Sequence, residues 1–154
     1  MTVHDNDLHR GFDNVSDQDR EGGFVYVLRS RSERPEIASI ENLYKIGFCR
    51  GAVEERIKNA SQEATYLMAP VIIVTAFKCF NINPLKVEQL LHRFFGSSCL
   101  NVDVIDKGGL CQAPREWFIA PLAVIEQALH FLMSGEIVQF AYDPSKQEIV
   151  RRNP

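Results

Sequence analysis

Leu43–Cys49 reads LYKIGFC, a run dominated by aromatic and branched residues between Asn42 and the Arg50-Gly51 pair. That composition and those boundaries predict a β-strand followed by a turn. Side chains alternate across a strand, so Lys45 and Gly47 share one face while Tyr44 and Ile46 take the other. Upstream, Phe24–Ser30 (FVYVLRS) follows a Gly-Gly pair and predicts a first strand. The polar stretch Arg31–Asn42 contains Pro35 and predicts a surface loop between the two. Downstream, Val53, Arg56, Ile57 and Ala60 recur at helical spacing, which predicts a short amphipathic helix.

Pro70–Phe80 (PVIIVTAFKCF) is an almost unbroken apolar run, and such a run predicts a strand in the middle of a sheet. Asn83 and Pro84 form an N-cap and first-turn pair for a helix to Phe95, with Leu85, Leu91, Phe94 and Phe95 on its apolar stripe. Gly96–Pro114 is mixed and reads as a long loop with an extended piece near Asn101–Ile105. Arg115–Ile119 leads into Pro121, which starts a third helix with apolar residues at Leu122, Ile125, Leu129 and Leu132. The last segments, around Asp143-Pro144-Ser145-Lys146, predict a hairpin. The expected fold is α/β: a small, mainly antiparallel central sheet of about three strands flanked by helices, with a C-terminal hairpin. The expected units are a disordered acidic tail over 1–20, a domain over 21–135 and the hairpin extension over 136–154.

With 154 residues and 45% apolar content, the chain suffices for one cored domain and falls short of two. No window approaches the roughly 18 apolar residues of a membrane span, and the start lacks the order of a secretory signal, so a soluble, cytoplasmic protein is expected. The four cysteines, Cys49, Cys79, Cys99 and Cys111, show no CxxC pair and are read as reduced thiols, two of them filling strands. The formal charge of −3 is not that of a typical nucleic-acid binder. Residues 1–20 carry five aspartates against two arginines, a balance of −3 that accounts for the whole excess and leaves the remainder neutral.

The order strand, strand, helix, strand, helix, together with VYVL, YKIG, Glu88-x-x-Leu91-His92 and Glu116-Trp117-Phe118, resembles the GIY-YIG nuclease superfamily, in particular a subgroup of phage and bacterial domains. Phe24-Val25-Tyr26 stands in the place of Gly-Ile-Tyr and Lys45-Ile46-Gly47 in the place of Tyr-Ile-Gly, so a lysine replaces the second motif tyrosine and Tyr44 sits one position earlier. The resemblance runs from Gly23 to about Phe118 and implies a divalent-metal-dependent DNA endonuclease.

The residue types suit that chemistry. Hydrolysis of a phosphodiester needs an aimed, deprotonated water, charge on the phosphate and help for the departing oxygen. Tyr26, with an ordinary pKa of about 10, is expected to become a phenolate base beside Lys45. Arg56 offers a planar fork to a nonbridging oxygen. Glu88 supplies a hard carboxylate for one Mg²⁺ or Mn²⁺, with Glu116 as a second acidic group. His92, four residues after Glu88 on a helix, orients water or touches phosphate. Tyr44 completes the catalytic candidates, and Asn101 and Lys58 are candidate substrate contacts. DNA is the implied partner, with a targeting module, a partner protein or a second copy to select the target, and no membrane. The alternative is a noncatalytic DNA-binding or protein-interaction module, for which the lysine replacement and the lack of basic excess speak. In isolation each residue has a plainer reading: Tyr26 as half-buried sheet packing, Arg56 as a solvated helix face beside Glu54 and Glu55, and Glu88 with His92 as a surface pair.

Overall fold

The computed structural model describes residues 22–80 and 83–152; the expected acidic tail over 1–20 lies outside them. Strand β1 (Gly23–Ser30) leads through a short helix α1 (Pro35–Ala38) to β2 (Leu43–Cys49) and helix α2 (Val53–Ile57). Two 3-10 turns, Ala60–Gln62 and Ala64–Tyr66, precede β3 (Val71–Cys79) and helix α3 (Pro84–Phe95). A small hairpin of β4 (Val104–Ile105) and β5 (Cys111–Gln112) comes before β6 (Trp117–Ile119), helix α4 (Leu122–Ser134) and a closing hairpin of β7 (Phe140–Asp143) and β8 (Glu148–Arg151).

The main sheet has four strands in the order β3-β1-β2-β6, all antiparallel. The α/β class with an antiparallel sheet and a C-terminal hairpin matches expectation, and three details differ. The central strands are β1 and β2, whereas the apolar Val71–Cys79 run is an edge strand with Ile72 38% exposed. An apolar run therefore does not report how many neighbours a strand pairs with, and most of this one is only half-buried. Trp117–Ile119 adds a fourth strand through the pairs Leu43↔Ile119, Tyr44↔Phe118 and Lys45↔Trp117. In the expected loop over 31–42, Pro35 opens α1 and Ile37 anchors it by burial at 3% exposure, since proline costs nothing in a first helical turn.

Two layers cover the sheet. On one face α3 and α4 bury Leu91, Phe94, Phe95, Ile125 and Leu129 against Val25, Val27, Ile46 and Phe118. Phe95 stacks on Phe118 with centroids 4.7 Å apart, and Tyr142 of the closing hairpin meets Phe95 at 5.9 Å. The terminal hairpin is therefore part of the core. On the other face α2 and the 3-10 turns pack Val53, Ala60 and Tyr66 against Tyr26 and Leu28. Helix α3 begins as its sequence dictates, with Asn83 Oδ1 accepting from the Leu85 and Lys86 amides at 3.1 and 3.3 Å.

Gly47 has a packing reason. It pairs with Tyr26 across β1 and β2, and a Cβ there would lie 2.4 Å from Tyr26 Cζ. The missing side chain lets the tyrosine ring cross over the neighbouring strand. Gly47→Ala is expected to destabilise the fold by about 1–3 kcal/mol through overpacking. In a Tyr26→Ala background most of that cost disappears, because the ring that would be struck is gone. Urea denaturation of the four proteins of this double-mutant cycle checks it, and additive effects would count against the close approach.

Candidate active site

The Tyr26 ring, laid over Gly47, ends at a hydroxyl 3.0 Å from that of Tyr66, and both residues are buried. Tyr66 reaches this place from the second 3-10 turn, which Trp117 ties to the sheet by donating Nε1–H to the Thr65 carbonyl at 2.9 Å. Leu67 and Met68 then take left-handed backbone conformations, φ 61° and 55°, to return the chain toward β3. Such a pair of non-glycine residues is a strained turn held by its surroundings, and Leu67 is 1% exposed.

Two cations gather on Tyr66. The Arg56 guanidinium lies 5.1 Å and the Lys45 ammonium 5.4 Å from its ring centroid, both within cation–π range. Arg56 also donates to Glu63 at 3.1 Å, in a pair with both partners more than a third exposed. Lys45 is 2% exposed and donates to Thr65 Oγ1 at 3.0 Å and Glu116 Oε1 at 3.2 Å.

These surroundings set the protonation states. Burial, reinforced by the hydrogen bond to Tyr66, holds the Tyr26 phenol far above its ordinary value, and the nearby Arg56 charge only partly offsets this. The expected phenolate beside Lys45 is thus corrected: the buried hydroxyl favours the neutral phenol, and the cation that acts on it is Arg56 rather than Lys45. Burial also lowers the Lys45 pKa, while the Glu116 carboxylate pulls it back up.

The acidic side of the site comes around the edge of the sheet. β6 pairs with β2 only over Leu43–Lys45, and the Ile46 amide makes the last contact, donating to the Glu116 carbonyl at 3.1 Å. Among the described residues no strand covers the β2 edge from Gly47 onward. Arg115 and Glu116, at the entrance to β6, diverge there. Glu116 turns to Lys45, and Arg115 donates Nε–H to Glu88 Oε1 on α3 at 2.9 Å. Glu88 in turn stands 4.0 Å from His92 Nε2, an atom buried without a hydrogen-bond partner. The other ring nitrogen, Nδ1, lies 3.6 Å from Cys99 Sγ.

The expected site residues thus fall into groups. Tyr26, Lys45 and Arg56 come together, and Glu116 joins them as the counter-ion of Lys45 rather than as a free carboxylate for metal. Glu88 and His92 sit on α3, which packs on the opposite face of the sheet from Tyr26. A single flat patch holding all of them is therefore not what forms; the link is the Arg115-Glu116 pair, which meets Glu88 on one side and Lys45 on the other. Tyr44 packs into the α3–α4 core, facing away as its register requires. Lys58 is exposed and paired with Glu55 at 3.0 Å. Asn101 is exposed in the loop before β4 and makes no hydrogen bond to the cluster among the described residues. Tyr66, with Thr65 and Glu63, was not anticipated. Its signal is a lone aromatic residue at the end of the polar connecting segment 58–66, too short and irregular for any periodicity to show.

Among the described residues no group of three or more His, Cys, Asp and Glu gathers to hold a metal, and no helix is long and apolar enough to cross a membrane. No solved structure matches the chain. A Bacillus subtilis (strain 168) protein, named uncharacterized protein YeeC, is 44% identical over 117 residues, which cover 76% of this chain and 31% of that protein. The chain thus spans about a third of that relative's length. The T5orf172 domain matches residues 23–133, most of the chain. It is that family, not a GIY-YIG one, that the sequence matches, so the superfamily assignment suggested by the short strand motifs is corrected. The chain belongs to the T5orf172 domain family.

Proposed function

We propose that this domain hydrolyses DNA phosphodiesters with a divalent metal, Mg²⁺ or Mn²⁺, and that it does so inside the cell. The observation that carries the reading is the gathering of Arg56 and Lys45 on Tyr66, whose hydroxyl meets that of Tyr26, with Glu88 tied to Arg115, the residue next to the Lys45 partner Glu116.

Each residue has a task that its surroundings support. The Arg56–Glu63 pair is exposed and so contributes only about 0–1 kcal/mol. Arg56 can therefore exchange it for a bidentate bond to a nonbridging phosphate oxygen. Tyr26 and Tyr66 use one phenolic proton between them, which leaves one to donate to a substrate oxygen. Lys45 acts as base in its neutral amine form, which burial favours: once its ammonium has lost a proton to solvent, the amine accepts the proton of an attacking water and becomes the ammonium again. Glu116 balances the charge that this transfer creates.

The donor set fits a hard metal held by few protein ligands. A single carboxylate suffices for magnesium, which keeps several waters and takes phosphate as a further ligand. Glu88 is that carboxylate, and its partner Arg115 is 69% exposed and free to move aside. When bound, the metal supplies positive charge to the phosphate and to the departing oxygen. The second reading, a module that binds DNA without turnover, is favoured by the position of Glu88 on the opposite face.

Supercoiled plasmid with Mg²⁺ or Mn²⁺ should convert to nicked or linear forms, and chelation should stop it. Arg56→Ala and Glu88→Ala should each lower the rate about 100-fold or more while the proteins remain folded. Plasmid that is bound but never cut, with either metal, would point to the module; no binding at low salt would overturn both.

Lys45 also sets a pH dependence. Its folded pKa lies below the unfolded one, so between the two the unfolded chain binds more protons and stability rises with pH. The gain is complete near the ordinary lysine value of about 10.4. Tyr26, raised in the fold, works in the opposite direction only above the ordinary tyrosine range. Denaturant melts from about pH 7 to 10 should show the rise, and Lys45→Met should flatten it. An unchanged slope in that variant would remove Lys45 as its source.

A further inference from the structure

The β4–β5 hairpin takes no part in the chemistry above, yet it is built with care. Val104, 2% exposed, seats its base in the cluster that contains Trp117 and Leu100. Its turn is pinned by Asp106. The Asp106 amide donates to the Leu110 carbonyl at 2.8 Å, the Leu110 amide returns to Asp106 Oδ1 at 2.8 Å, and Gln112 Nε2 donates to Oδ2 at 2.8 Å. Gly109, at φ 84°, closes it with a bond to the Asp106 carbonyl at 3.0 Å.

This rigid frame displays what a soluble surface normally hides. Ile105 and Leu110, one on each side of the turn, are 61% and 65% exposed. Between them in sequence stands Lys107, whose ammonium reaches Gln62 Oε1 at 3.4 Å. Gln62 adjoins Glu63, the partner of Arg56. Trp117, against which the hairpin base packs, also ties down the Thr65–Tyr66 turn. The hairpin is thereby fixed to the same turn that forms the site.

We propose that this hairpin is a nucleic-acid wedge, with Ile105 and Leu110 packing against a partly unstacked base step while Lys107 meets the phosphate beside it. Two apolar side chains on so short a hairpin are too small a surface for a stable protein interface, which needs roughly 800 Å² per partner. They suffice for a base step, where one or two inserted apolar groups kink a duplex. The cation at the tip suits a phosphate, and Asp106 is already occupied by the turn. A wedge of this kind engages steps that open easily, so mismatched or nicked duplexes should be preferred. The inference rests on DNA being the substrate, as proposed above.

The test uses the full chain in EDTA with a short duplex carrying fluorescein and a 2-aminopurine at a mismatch. Wild type should bind in a salt-dependent manner and raise the 2-aminopurine signal. Ile105→Ser combined with Leu110→Ser should abolish the rise and weaken binding about tenfold. Lys107→Ala should reduce the salt slope by about one. A double variant that binds and unstacks like wild type would overturn the wedge and leave the hydrolytic reading untouched. Absence of plasmid cleavage with an intact wedge signal would do the reverse. A wild type that binds no duplex at low salt would end both.

Discussion

The close approach of the Tyr26 ring to Gly47 is the constraint on which the rest of the site depends. Because no Cβ stands at 47, the ring lies across the neighbouring strand and its hydroxyl meets Tyr66 at 3.0 Å. That meeting fixes the 3-10 turn, and the turn fixes the aromatic ring on which Arg56 and Lys45 gather. A buried phenol without a partner costs about 1–3 kcal/mol, so each tyrosine secures the other.

Lys45 is the point of tension in this arrangement. A nearly inaccessible ammonium is unfavourable in itself, and its hydrogen bonds to Thr65 and Glu116 offset that only in part, as the lowered pKa records. A charge kept under such conditions, where an apolar residue would fit more easily, is the kind of local conflict that marks functional sites.

Much of the frame was legible in the sequence because it follows short-range rules. Alternation in LYKIGFC placed Lys45 and Gly47 together and turned Tyr44 away, and Asn83-Pro84 opened a helix where the pattern said it would. Position within the sheet was not legible: the most apolar strand proved to be an edge, because β1 and β2 gain their central place from pairing partners far away in sequence. The site was half visible. Tyr26, Lys45 and Arg56 lie on regular elements whose faces periodicity reveals, whereas Tyr66 lies on irregular turns that only long-range contacts define. The family likewise required comparison of the whole domain, since short motifs on strands are shared too widely to separate one family from another.

The family match stops at residue 133, yet the fold does not. Arg152 donates to the Arg93 carbonyl at the end of α3 at 2.8 Å and to the Phe140 carbonyl at 3.0 Å, and Tyr142 fills the core beside Phe95. The closing hairpin thus acts as a clasp on the helix that carries Glu88. A fragment trimmed at the homology boundary would loosen the very support of the acidic residue, so the smallest autonomous unit extends some twenty residues further than sequence kinship alone marks out.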